Sequence, residues 1–204
     1  MNILSKSFFI FFLFVGSLPI QGLAQSDYLS YIQHYRDSLD HYFKSDIHSP
    51  LDSADKLSFE GIHYFETDSS YRIPFEFKRK KWGKQFLMRT TTDRLPAYKV
   101  YGTVKFKLEG KPQKLTLYQN LELKNRKGFE DYLFCPFKDL TNGQESYGGG
   151  RYLDFRFKDL EKGIIDFNLS YNPYCAYNYR YSCPIPPKSN HLKIAIRAGV
   201  KKFH

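Results

Sequence analysis

The sequence predicts a mainly β protein: an antiparallel curved sheet, as a half-open barrel or a two-layer sandwich, with one N-terminal α-helix. Three observations carry this. Apolar residues recur at three- and four-residue spacing in one place, between Ser26 and Lys44. From Leu57 onward they alternate with polar residues in short runs, separated by glycine, proline, asparagine and aspartate. The stretch from Tyr147 to Pro187 then crowds glycine, proline, asparagine, tyrosine and cysteine together. That composition suits neither a regular helix nor a plain strand, and it marks irregular backbone held in a defined shape.

Taken in order, the chain opens with a secretory signal over residues 1–24. Lys6 gives a positive start, Ser7 to Pro19 is an apolar run, and Gly22-Leu23-Ala24 supplies the small residues a signal peptidase reads. The run falls short of the ~20 residues of a membrane span. The expected product is therefore a single β-rich domain, residues 25–204, exported to the periplasm or beyond, with no integral membrane span. Ser26 suits a helix N-cap and Asp27 its first turn. Leu29, Ile32, Tyr35 or Arg36, Leu39 and Phe43 then form one apolar face. His34 and His41 share a face two turns apart, about 10 Å, too far for one metal. Ser49-Pro50 ends the helix, and Asp52 to Leu57 reads as one further helical turn.

The strands follow. Ser58–Phe65 and Tyr71–Lys78 read as strands, with Pro74 placing the second at a sheet edge or bulge. The basic run Lys78–Lys84, with Trp82 inside it, reads as a solvated hairpin tip, and Gln85 to Thr91 as its return strand. Tyr98–Leu108 alternates, with Val100, Gly102, Val104, Phe106 and Leu108 on one face. Gly102 in mid-strand suggests a bend or a close backbone approach. Glu109–Pro112 is a turn, and Leu115–Gln119 answers as the partner strand. Tyr132–Phe137 is apolar throughout and so covered on both faces. Arg151–Phe157, Ile164–Phe167 and Leu192–Arg197 complete a count of about nine or ten short strands.

The net charge of +10 drops by one when residues 1–24, which carry Lys6 and no acid, are removed. The basic residues are interspersed with acids, so a solvated basic surface is expected, with no nucleic-acid partner. Cys135 sits in an apolar run and reads as a buried thiol. In an oxidising compartment Cys175 and Cys183 are able to close a nine-residue loop as a disulfide, which the chain-entropy estimate makes worth about 2.5 kcal/mol. The cysteine spacing does not match zinc-binding pairs, and His191 is the only histidine nearby, so no metal is expected.

The expected site lies in the C-terminal third. Arg151, Asp154 and Asp166 are candidate catalytic groups: an acid as general base, with Arg151 on an anionic ligand group. The alternative is that Arg151 pairs with an acid and holds the loop. Gly148-Gly149-Gly150 after Tyr147 forms either an anion cradle or a wide turn. Asp139 either serves a site or caps its own loop. Tyr147, Gly149, Asn168, Tyr171, Asn172, Tyr174 and Tyr177 are candidate ligand-binding residues, because tyrosine offers a large ring with a polar tip. The sequence contains no nucleophile elbow, zinc-protease helix or Ser/His/Asp spacing, and a site of this kind needs no cofactor. Two functions follow. One is an exported module binding an unidentified small molecule; the other is a cofactor-independent hydrolase or lyase.

These residues also carry a likeness. Asp139-Leu140-Thr141-Asn142-Gly143, Tyr147-Gly148-Gly149-Gly150-Arg151-Tyr152-Leu153-Asp154, Asp166-Phe167-Asn168, Tyr171-Asn172-Pro173-Tyr174-Cys175-Ala176-Tyr177-Asn178, Ser182-Cys183-Pro184 and Ile196-Arg197-Ala198-Gly199 together resemble domain-of-unknown-function family 1684, a bacterial and archaeal family. The likeness covers most of the chain after residue 24. It departs from the family pattern at Tyr179, where Pro is usual, and at Val200, where an acid is usual. It implies that the Gly-Gly-Gly-Arg and Tyr-Asn-Pro-Tyr-Cys segments are the hallmark of the family, and it implies no reaction or substrate.

Overall fold

A computed structural model of the chain describes residues 20–203. Helix α1 (Ile20–Ser45) and the short α2 (Ser53–Ser58) precede the first strands, β1 (Arg72–Arg79), β2 (Gln85–Leu87), β3 (Ala97–Leu108) and β4 (Lys111–Asn120). β5 (Tyr132–Phe137), β6 (Arg151–Arg156), α3 (Phe157–Lys162) and β7 (Ile164–Asp166) follow. The strands form one seven-stranded sheet in the order β6-β5-β4-β3-β1-β7, with β2 also on β3. All pairings between these strands are antiparallel. The protein is thus mostly β, a curled half-barrel with one long N-terminal helix.

The expected signal segment falls mainly on residues 1–19, outside the described residues. Residues 20–24 already belong to the backbone of α1, so Ser26 is not an N-cap. The helix runs through Gly22, a residue that usually weakens a helix, and on through Ser26. The buried stripe of α1 follows the expected one from Ile32 to Phe43 and departs from it only at its start. Tyr28, Ile32 and Phe43 are buried, and Leu29 is exposed. Hydrogen bonds tie α1 down along its length. Tyr28 Oη donates to Asp166, Tyr35 Oη to the Leu169 carbonyl and Arg36 to the Phe65 carbonyl, while Asp40 accepts from Ile62 N. α2 is capped by Asp52, whose carboxylate accepts from Ala54 N and Asp55 N.

The β3–β4 hairpin closes as its sequence suggests. Glu109 and Gly110 have φ of 50° and 72°, the left-handed pair that a two-residue turn between twisted strands requires. Inside this hairpin the register shifts between Val100 and Gly102, which leaves Tyr101 as an extra residue in β3. One extra residue exchanges the two faces. Val104, Phe106 and Leu108 join Tyr101 in the main core, whereas Tyr98 and Val100 pack with Met88, Tyr118, Phe134 and Tyr152 on the other side. Gly102 is the close approach expected of it: a Cβ there would lie 2.4 Å from the Phe77 ring.

Several expectations need correction. β1 and β2 do not form a hairpin with each other. Both run along β3, and Lys80–Lys84 loops out between them, bracketed by Lys80 N to Tyr101 O and Val100 N to Lys84 O. Gly83 packs so tightly on Val100 O that a Cβ would lie 1.8 Å from it, and Trp82 points into solvent. Pro74 is not on a sheet edge; it marks where β1 passes from β7 to β3 as partner, and lies outside the β3 register. Residues 59–65 are extended but make one isolated bridge, Tyr64 with Val200. Phe157–Lys162 turns into α3 instead of continuing β6. Asp159 accepts from Arg156 N at its start, and Gly163 ends it with φ 63°.

The expected last strand, Leu192–Arg197, joins no ladder. Leu192, Ile194, Ile196 and Ala198 still bury alternate side chains in the main core. The carbonyls of Ile196, Ala198 and Val200 all point to one side of this extended segment. The guanidinium of Arg151 meets them there in place of a neighbouring strand.

Candidate ligand-binding site

Alternation along β6 decides which side chains share a face. Leu153 and Phe155 enter the main core, and Arg151 points the same way. Tyr152 and Asp154 point to the opposite face. There a cavity of about 600 Å³, open on one side, lies between the sheet, α1 and the segment after Tyr171. Its wall is largely tyrosine: Tyr35 and Tyr42 from α1, Tyr98 from β3, Tyr132 from β5, Tyr152 from β6, and Tyr171, Tyr174 and Tyr177 from the irregular segment. Tyr98 reaches it only because of the Tyr101 bulge. A second cavity, of about 710 Å³, lies between the first half of α1, β7 and α3. Tyr35, Asp154 and Tyr171 line both.

Asp154 therefore stands at the junction of the two. Its Oδ1 accepts from Tyr132 Oη at 2.6 Å and from Tyr171 Oη at 2.7 Å. Among the described residues no protein donor reaches Oδ2. The carboxylate keeps solvent-accessible area because it borders two hollows. Protein nonetheless surrounds it, and the lost hydration raises its pKa above the ordinary carboxylate value; the two phenol hydrogen bonds and Arg156 pull the other way. Tyr132 and Tyr171 are held well above the ordinary phenol value, first by burial and then by the charge of Asp154. Each phenol thus remains a donor at neutral pH. The other charged groups on the first cavity are occupied. Arg94 donates to Ser182 Oγ and O, and Arg126 pairs with Glu122 at 3.1 Å.

The remaining candidates divide between wall and scaffold. Asn172, Tyr174 and Tyr177 line the first cavity, as does Cys183. Tyr174 Oη donates to Tyr42 Oη at 3.2 Å, and Tyr177 packs edge-on against Phe43. Asp166 lines the second cavity, but its oxygens accept from Tyr28 Oη, Asn168 N and Asn168 Nδ2. Asn168, fully buried, also bonds both N and O of Asp68, so it fastens one loop to another.

Arg151, Tyr147, Gly149 and Asn168 line neither cavity. Arg151 lies three positions before Asp154 on a strand, hence on the opposite face, and is completely buried. It is spent on Asp139 and three carbonyls. Asp139 does cap its own loop, accepting from Thr141 N and Oγ1. The glycine run is a turn closed by Gly150 N to Tyr147 O, with Gly150 at φ 98°. A Cβ on Gly149 would lie 2.3 Å from the Tyr147 ring. The Cys175–Cys183 disulfide is not formed in the structure: both are free thiols in contact, with Cys175 N donating to Cys183 Sγ at 3.2 Å. Among the described residues no group of three or more His, Cys, Asp or Glu is placed to hold a metal ion, and no helix is long and apolar enough to cross a membrane.

The wall tyrosines missed by sequence reasoning are Tyr35, Tyr42, Tyr98, Tyr132 and Tyr152. Tyr132 had a signal, since it alternates with Leu133 and Cys135. The α1 tyrosines had none, because no local pattern tells which sheet face a helix will cover.

Over residues 57–201 the chain matches the family described as "Protein of unknown function (DUF1684)". The chain belongs to the DUF1684 family. The likeness read from Tyr147–Asp154 and Tyr171–Cys183 thus stands; the Tyr-Asn-Pro-Tyr-Cys segment of this DUF1684 protein contributes to the cavity wall, and the Gly-Gly-Gly-Arg segment does not. No curated protein matches it. A solution NMR structure of an uncharacterized protein of Haloarcula marismortui is similar, at 33% identity and a TM-score of 0.67, covering 88% of this chain and 96% of that one.

Proposed function

We propose that this DUF1684 protein is a binding module for a small organic molecule, which it takes into the tyrosine-lined cavity with a donor group on Asp154. The observation that carries the reading is the state of that carboxylate. Two phenols fix one oxygen, the other has no protein donor among the described residues, and the residue borders a hollow of about 600 Å³, within the range of small-molecule sites. The aromatic wall supplies apolar area, and the fixed acceptor supplies orientation. A ligand-detected NMR screen of a small-molecule library against the wild type and Asp154→Asn is the test. Ligands that contact Tyr132 and Tyr171 and weaken at least tenfold in the variant support the proposal; ligands that bind both proteins equally, away from those tyrosines, defeat it.

A second reading, a cofactor-independent hydrolase or lyase, is favoured by one observation. Burial raises the pKa of Asp154, as suits a general acid or base. In that reading Tyr132 or Tyr171 is the partner, since the groups of Arg151 and Asp166 are occupied. Recovery of a bound ligand unchanged after long incubation favours binding, and its conversion favours catalysis. We further propose export, on the strength of Lys6, the apolar run Ser7–Pro19 and Gly22-Leu23-Ala24. Cleavage before Gln25 would leave Tyr28, Tyr35, Tyr42 and the other α1 side chains that line the cavities in place. N-terminal sequencing of protein from the periplasm or medium tests it.

A further inference from the structure

We infer that Cys175 and Cys183 form a reversible thiol-modification site, in which Cys175 attacks a low-molecular-weight disulfide and Cys183 resolves the adduct. The two thiols are placed differently. Cys175 is half-buried, on the turn Tyr174–Ala176. Cys183 is buried and rigidly held: its N donates to Thr91 Oγ1 at 3.1 Å, its carbonyl accepts from Thr91 N at 2.9 Å, and its side chain lines the tyrosine cavity. The Cys175 amide donates to Cys183 Sγ, which holds the two residues together across the loop. Tyr147 Oη lies 3.7 Å from Cys175 Sγ and serves as a donor to a thiolate there. This explains the placement of Tyr147, a hallmark tyrosine that lines neither cavity. Cys135, completely buried and with its pKa raised by burial, is excluded from this chemistry.

The ionisable neighbours favour the same order of events. Hydrogen bonding from Cys183, with Tyr147 and Thr91 contributing, lowers the Cys175 thiol to about 7, whereas Cys183 is pushed up by its bond with Cys175 and by burial, against the opposing charge of Arg94. A thiolate near ambient pH is the better attacking group. The Cys175 thiolate attacks one sulfur of RS–SR. An S–S bond forms between protein and R, the original S–S bond breaks, and RS⁻ leaves and takes a proton from water. Cys183 then loses its proton and attacks Cys175 Sγ, forming the Cys175–Cys183 bond and expelling the second RS⁻. The protein loses two electrons and two thiol hydrogens, and RS–SR becomes two RSH. Excess RSH reverses both steps. The bond would staple the loop that carries Tyr177 and Tyr181, both on the cavity wall.

Oxidised glutathione is the probe, followed by mass spectrometry of the intact protein and its peptides. The wild type should go to a species two hydrogens lighter, with Cys175 and Cys183 linked and no glutathione retained. Cys183→Ser should instead accumulate a mixed disulfide on Cys175, and Tyr147→Phe should slow its formation severalfold at neutral pH with Cys135 unmodified throughout. Iodoacetamide labelling should show Cys175 at least tenfold faster than Cys183. A wild type that keeps bound glutathione, or a Cys183→Ser protein whose Cys175 reacts no faster than Cys135 in the folded state, overturns the inference. Circular dichroism of each variant shows whether the fold is retained. Should Cys183→Ser unfold, the iodoacetamide rates on wild-type protein decide alone.

Discussion

Arg151 Nη2 and Asp139 Oδ2 meet at 2.8 Å with neither side chain exposed at all. The pair joins the start of β6 to the loop after β5, and through Nη1 and Nη2 to the carbonyls of Ile196, Ala198 and Val200. Asp139 adds Ile196 N as a fourth link to the same tail. Removing one member of a buried pair strands the other charge, at a cost of about 3–5 kcal/mol. Asp139→Ala is therefore expected to lower unfolding free energy by that amount in urea titration. A loss below ~1 kcal/mol would mean the tail docks without the pair.

Asp154 should behave as a group held at the expense of stability. A carboxylate whose folded pKa is raised binds a proton more readily when folded than when unfolded. Its contribution to stability is therefore lost as pH rises from the ordinary carboxylate value through the raised one. Asp154→Asn should melt higher than the wild type at neutral pH and lose part of the wild-type decline across that window. Thermal melts from acid to neutral pH check the sign; an identical decline in both proteins contradicts it.

Asp166 is read as a fastener for α1. Its carboxylate accepts from Tyr28 Oη and from both nitrogens of Asn168. An amide nitrogen in place of one oxygen would face donors, leaving one unsatisfied at about 1–3 kcal/mol. At about 2–4 °C per kcal/mol for a chain of this size, Asp166→Asn should lower the melting temperature by several degrees. Tyr28→Phe should do the same and raise hydrogen exchange in the first half of α1. An Asp166→Asn protein of unchanged stability would return this residue to the candidate active site.

Gly102 and Gly148 should differ sharply in their response to alanine. At Gly102 the new methyl would sit 2.4 Å from Phe77 Cε2 and 2.8 Å from Lys78 O, where β1 crosses β3. Overpacking of this kind costs about 1–3 kcal/mol. At Gly148 the nearest atom is 3.6 Å away, and a change within ~0.5 kcal/mol is expected. Chemical denaturation midpoints distinguish the two.

Local patterns carry far in this chain. Alternation in β3, β4 and β6 and an apolar run in β5 placed those strands, Glu109-Gly110 placed their tightest turn, and Gly102 announced the close contact with Phe77. The same reasoning overran at Phe157, where the capping acid Asp159 and Gly163 were the overlooked signal for α3. It also turned Leu192–Arg197 into a strand, because alternate burial looks the same whether the backbone bonds to another strand or to a guanidinium. Parity alone separated Arg151 from Asp154, and grouping them as one site ignored a rule the strand itself supplies.

What the sequence determined by itself is therefore the class of fold, the residues of its main core and the segment from which much of the cavity wall comes, since all of these follow from periodicity and turn chemistry within a few residues. Only the tertiary structure decided that Asp154 is the exposed acceptor and Arg151 the buried clamp, that Tyr35 and Tyr42 of α1 close the cavity from above 100 residues away in sequence from Tyr171 and Tyr174, and that Cys175 meets Tyr147. Those relations depend on which face of the sheet a helix covers and on a one-residue bulge at Tyr101. Both are settled by how the whole chain packs, because side chains from distant segments compete for the same surface.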